Sequence, residues 1–382
     1  MAPRAVALDK IRFVPGEGLQ IESADGDFAL NLSFRLQVLY TALDEDPATK
    51  KTEESIQVRR ARAQLYGNAF GKHNKYKFEL AFSPTDVDTK DSVVRTSPLL
   101  EAYAEFDYLR DLTVRAGQTK VPYDRIRRTS DTSRQLVDYG ATTAEFTLDR
   151  DIGVELRSAD FLGLGCLRYV AGIFSGDGRN SFTPTDFGML YVARVDFLPF
   201  GLFDDLSEAD FARARPRLAI GAAYAHNDRA KRDRSTNGNP FADGGTANFD
   251  HAVVDTSFKA YGFSAIGAFY YRHANRSPGS ATTDTGAPVP VTASRDGIGW
   301  IAQAGYLIPR TGFEVAARYE GIEGRTTKLH NGLKDQTELG GGLNYYFAEH
   351  ALKLQADYFR VYASDGFTNG NNQVRLQLQM VL

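Results

Sequence analysis

The sequence predicts an all-β fold: one closed antiparallel transmembrane β-barrel of about sixteen strands, with a single long loop folded into its lumen. Three observations carry that expectation. Apolar and polar residues alternate with period two in run after run. The connections between those runs are alternately short and long, the habit of outer-membrane barrels. One connection, residues 119–149, is long, polar and rich in arginine, and such loops in compact proteins are generally functional or disordered.

Composition agrees. Among 382 residues there are 25 Phe, 19 Tyr and 35 Gly but one Trp, which suits strands joined by turns. The lone Cys166 excludes an intramolecular disulfide and any cysteine metal cluster. His73, His226, His251, His273, His330 and His350 lack metal-site spacing, and no acidic run matches a calcium loop, so no cofactor is expected. A net charge of −3 gives no general surface for nucleic acid. No run of eighteen apolar residues exists, which excludes a transmembrane helix but not a barrel, whose strands need only ~9–11 residues with alternate ones apolar. The start, Met1-Ala2-Pro3-Arg4-Ala5-Val6-Ala7-Leu8, lacks the apolar core of a signal peptide. An outer-membrane protein needs one, so its removal from this sequence is expected.

Residues 1–26 read as a periplasmic N-terminal segment, with a hairpin around Pro15-Gly16-Glu17-Gly18, and residues 27–382 as the barrel. Residues 27–40 give the clearest strand. Phe28, Leu30, Leu32, Phe34, Leu36, Val38 and Tyr40 share one face; Asn31, Ser33, Arg35 and Gln37 share the other. A helix would smear those apolar positions around its circumference. Residues 75–82, 187–197, 313–320, 352–358 and 374–382 repeat the pattern. Long connections are expected at 41–54, 83–98, 119–149, 175–185, 227–248, 275–297, 324–334 and 364–371. The connection 199–215 breaks the rule, being long where a short turn is due, and 206–214 is expected to form a helical turn.

Arginine dominates the polar face, 32 Arg against 13 Lys. Guanidinium is weakly hydrated and binds oxyanions through parallel N–H groups, so lining a wet lumen with it would dehydrate anions in steps. Arg35 and Arg115 fall within strands, and Arg59, Arg60 and Arg62 lie where apolar parity switches between Val58 and Ala61, which predicts a bulge and a local positive patch. The alternative is that wall arginines pair with carboxylates such as Glu79, Glu101, Glu105 and Glu155. The first half of the loop carries Lys120, Arg125, Arg127, Arg128 and Arg134 against Asp124 and Asp131; its second half carries Asp138, Glu145 and Asp149. His226 and His273 are the only candidates for a barrel enzyme, and a rim histidine is the simpler reading.

Several stretches, in order, resemble the phosphate-selective porin O and P family. They include Phe34-Arg35-Leu36-Gln37, Arg59-Arg60-Ala61-Arg62, Val114-Arg115-Ala116-Gly117-Gln118-Thr119-Lys120-Val121-Pro122-Tyr123, Arg150-Asp151-Ile152-Gly153-Val154, Gly342-Leu343-Asn344-Tyr345-Tyr346-Phe347 and Val374-Arg375-Leu376-Gln377-Leu378. The resemblance implies a homotrimer of sixteen-stranded barrels in the outer membrane of a Gram-negative bacterium. Each would pass small anions, phosphate among them, through an arginine-lined pore. By motif, Arg59 and Arg60 would face the lumen, and Arg127, Ser130 and Arg134 would lie on the constriction. The chain departs from the family in ending on Leu382 where an aromatic is usual, and its loop matches in chemistry rather than residue by residue. The expected function is passive anion diffusion with no enzymatic activity, in contact with membrane lipid and lipopolysaccharide. The alternatives are a weakly selective general porin, or a closed barrel used as a surface-binding scaffold or enzyme.

Overall fold

Period-two alternation needs a partner strand on each side, and the computed structural model shows how the chain supplies them. It describes residues 8–46, 51–87, 89–90, 93–94, 97–181, 188–325, 331–363 and 366–382. Eighteen strands form one hydrogen-bonded sheet. Sixteen of them close on themselves, because Ala29–Asp46 pairs with the last strand, Asn371–Val381, from Gln373 opposite Leu43 to Val381 opposite Arg35. Closure leaves these strands no free edge. The other two strands, Leu8–Val14 and Gly18–Ser23, form the expected hairpin, and the second pairs with the start of Ala29–Asp46. Leu382 lies beside that junction and exchanges backbone hydrogen bonds with Phe34 at 2.8 and 2.9 Å.

Side-chain parity follows the sequence. Phe34 and Leu36 point outward, 49% and 38% exposed, whereas Ser33 and Gln37 point inward at 5% and 0%. Phe78, Val154, Phe197, Phe269, Val315 and Leu376 continue the apolar outer surface around the barrel. Charge is buried inside and hydrocarbon is exposed outside, which is stable only where the surroundings are lipid.

The bulge falls where parity breaks. Gln37 opposes Arg60 while Val38 opposes Val58, so Arg59 is the extra residue. Arg59 and Arg60 thereby reach the same interior carboxylate, Asp138.

Two sequence expectations need correction. The long connection at 41–54 is mostly strand, since Ala29–Asp46 and Lys51–Asn68 continue the ladder beyond the apolar run. Polar residues such as Thr41, Thr52 and Glu54 carry it past the apolar belt, where hydropathy no longer marks a strand. Residues 206–214 form no helix; with the rest of 199–215 they turn inward under the barrel. His330 and residues 1–7 lie outside the described residues.

Candidate functional site

Arg125–Arg128 and Ala141–Phe146 are the two α-helical turns of the infolded loop, with a 3-10 turn at Asp131–Ser133 between them. Asp124 caps the first, accepting from the Arg127 N–H at 2.7 Å and the Thr147 hydroxyl at 2.9 Å. Val121, Tyr123, Ile126, Phe146 and Leu148 form an apolar face packed on Val192, Val253, Tyr270 and Ile301 of the wall. Beside it Arg125 is enclosed by Asp196 (2.7 Å), Asp255 (2.9 Å) and Asp205. Further on, Gln135 donates to Glu314 and Ser264, each at 2.7 Å, and its carbonyl accepts from Asn344 at 2.7 Å. The Val137 N–H donates to Asp357 at 3.0 Å. The loop therefore seals the lumen against the strands from Leu190–Phe197 round to Asn371–Val381.

Open space remains on the other side, along the strands from Lys51–Asn68 to Arg150–Ser158. Among the described residues it includes two cavities. One, about 390 Å³, lies toward the short turns; the other, about 320 Å³, lies toward the long loops. Arg62 and Arg150 line both, so the two meet there. Eight cationic side chains and four carboxylates line the first; seven and three line the second.

The sequence-derived candidates divide between these spaces. Arg35, Arg62, Arg115, Lys120, Arg128 and Ser130 line the cavity toward the short turns. Arg59, Arg60, Arg62 and Arg127 line the other. Arg125 and Arg134 line neither. Arg134 is held between Asp131 at 2.7 Å and Asp138 at 2.8 Å, with its guanidinium 4.5 Å from the Tyr139 ring centre. Pairing extends to the wall: Arg62 meets Asp131 at 2.5 Å and Asp86 at 2.7 Å, and Arg115 meets Glu105 at 2.5 Å. Buried pairs of this kind fix geometry more surely than they add stability. In the loop, burial opposes the charge on Asp138, but Arg60, Arg59 and Arg134 outweigh it and hold the carboxyl well below its ordinary range.

Arg150 was not among the candidates. Only 2% exposed, it stands 3.4 Å from both Glu101 and Asp149, yet its Nε and Nη2 donate to no protein acceptor. It sits directly opposite Lys120 in the ladder, as Arg35 sits opposite Arg62. Residues 120 and 150 flank the loop symmetrically, and that spacing was the available signal. His226 and His273 line neither cavity; they pair with Asp250 and Asp296, each at 2.8 Å.

A family model for phosphate-selective porin O and P matches residues 30–270. The chain belongs to this family. The porin is a channel of the bacterial outer membrane, not an enzyme. It is similar to OmpF of Salmonella typhi in complex with daunomycin, at TM-score 0.60 and 15% identity over 94% of this chain and 100% of that one. The outer-membrane channel DcaP of Acinetobacter baumannii follows at 0.58 and 12%, over 92% and 97%. OmpT of Vibrio cholerae, in a trimer form, gives 0.56 and 13%, over 92% and 99%. At these identities the likeness concerns the fold. An uncharacterized protein of Aquifex aeolicus is 25% identical over 275 residues, 66% of the porin and 60% of that protein's length.

Proposed function

We propose that the porin passes small anions, phosphate among them, down the crescent between the infolded loop and the strands of residues 51–158. One observation supports this most: Arg35 opposite Arg62 and Lys120 opposite Arg150 are like charges directly across a ladder. Glu79 at 3.9 and 3.2 Å offsets part of the Arg35–Arg62 repulsion, and Glu101 at 3.4 Å part of that at Arg150, yet cations still outnumber carboxylates along both cavities. Fixed positive charge in a narrow, poorly screened passage raises the local anion concentration. Several moderate contacts also release a solute more readily than one tight site. The reading fits a homotrimer whose apolar outer face meets lipid and lipopolysaccharide. Its N-terminal hairpin and short turns then lie on the periplasmic side.

The pairing of Arg60, Arg62 and Arg115 with carboxylates favours a second reading, a weakly selective porin. Reversal potentials in a KCl gradient across a planar bilayer separate the two. Chloride permeability well above potassium supports the anion pathway; equal permeabilities support the weakly selective one. A barrel with no conductance would refute both.

A further inference from the structure

The connection at 199–215 joins Leu190–Phe197 to Arg217–Ala230 at the rim of short turns, yet it does not stay at the rim. Asp205 and Glu208 are each only 4% exposed. Asp205 contacts Arg125 of the infolded loop and Arg168 of the wall, the latter at 2.7 Å. The Glu208 N–H donates to the Ser133 carbonyl at 2.9 Å, and its carboxylate accepts from the Gln135 N–H and from Gln303 Nε2, both at 2.8 Å. Below these, Ala209 and Phe211 pack with Leu307 and Tyr346. Leu206 reaches the cavity toward the short turns.

We infer that this connection is a second infolded element of the porin, and that Asp205 and Glu208 are positioning residues for the neck, the place where the two cavities meet at Arg62 and Arg150. The physical reason is that a loop spanning a lumen is anchored only where its polar groups find partners. Residues 125–135 of the loop take theirs partly from this connection, approaching from beneath. The connection also narrows the half of the lower mouth under Leu307 and Tyr346, where a cavity of about 420 Å³ remains between it, Lys259 and His350. Its two carboxylates act through Arg125 and Gln135, not by touching the solute.

The contact and the pathway are testable separately. In a Cys166→Ser background, Ser133→Cys with Glu208→Cys should form a disulfide on mild oxidation, because a 2.9 Å backbone hydrogen bond brings the two residues within its span. Mass spectrometry reads this without reference to conductance. The electrical arm rests on the anion reading above. Glu208→Ala combined with Asp205→Asn should lower the chloride-to-potassium permeability ratio roughly threefold and raise open-channel noise, with Glu208→Gln restoring much of both. Should the double variant fail to insert, the cysteine pair serves in its place, noisy when reduced and quiet when oxidised. Absence of the disulfide in a folded barrel overturns the inference. So does a disulfide that forms while noise stays the same in both redox states. A parent channel that shows no anion preference would fail the functional reading, yet leave the cross-link and the noise arms to decide this one.

Discussion

Replacing Arg150 by Gln removes one charge where the two cavities meet while keeping a side chain of similar reach. A unit charge ~6 Å from a passing ion acts with about 0.7 kcal/mol at the dielectric of water and about 3 kcal/mol at an effective value of 20. Glu101 and Asp149 at 3.4 Å already offset part of the Arg150 charge, and they remain after the substitution. A net change of ~1 kcal/mol in the balance between anion and cation corresponds to about fivefold in permeability ratio. Reversal potentials in a KCl gradient read it, with Arg229→Gln on the long-loop rim as control. Arg229 is exposed beside Asp228, where salt screens it over ~8 Å at physiological ionic strength. Folding should not suffer, because Arg150→Gln relieves a like-charge pair with Lys120. A ratio unchanged from the parent, or moved equally by the rim control, would refute the placement of the neck.

Arg134→Ala should act differently: it lines neither cavity and leaves Asp131 and Asp138 short of a partner, so a loss of ~3–5 kcal/mol is expected in denaturant melts. Phe34→Arg, on the outward face, should cost ~2–4 kcal/mol and impair insertion. The lumen comparison for it is Gln64→Arg, not Gln37→Arg. Gln64 borders a cavity, whereas Gln37 is fully buried and accepts from Arg60 at 2.8 Å, so a second cation has no room there. Gly140→Ala should displace the Glu320 carboxylate, since the added Cβ would lie 1.7 Å from its Oε1; altered conductance with unchanged far-UV circular dichroism would show it. Asp138 is a depressed carboxyl, so its stabilisation holds above the unfolded value near ~3.9 and is lost only as pH falls through the lower folded value. Single-channel conductance that keeps its open-state noise from pH 7 down to about 4.5 is expected.

The barrel was legible because parity is a local property. Phe34 and Gln37 declare their faces within three residues, and the bulge at Arg59 shows as a break in the same rhythm. The neck was legible only in its chemistry. Nothing local in the sequence distinguishes Arg125, enclosed by Asp196, Asp205 and Asp255, from Arg128 three residues on, which faces a cavity. The partners that separate them lie up to 130 residues away. The inward turn at 199–215 was marked by its length alone, since its buried carboxylates look like ordinary loop charges until Gln135 and Arg125 are beside them.

The seam between the first and last strands has a consequence for how the protein is made. Gln37 and Gln379 bond to each other across it at 2.7 Å, and both donate to loop carbonyls, Asp131 at 3.3 Å and Thr132 at 3.0 Å. The tie from Gln379 to Thr132, and the Gln37–Gln379 bond beside it, therefore exist only after the final strand has been synthesised and zipped to the first. Contacts so distant along the chain form late, because loop closure must be completed before they can contribute. An unfinished barrel lacks both bonds, so the segment around Thr132 takes its final position only once the wall has closed.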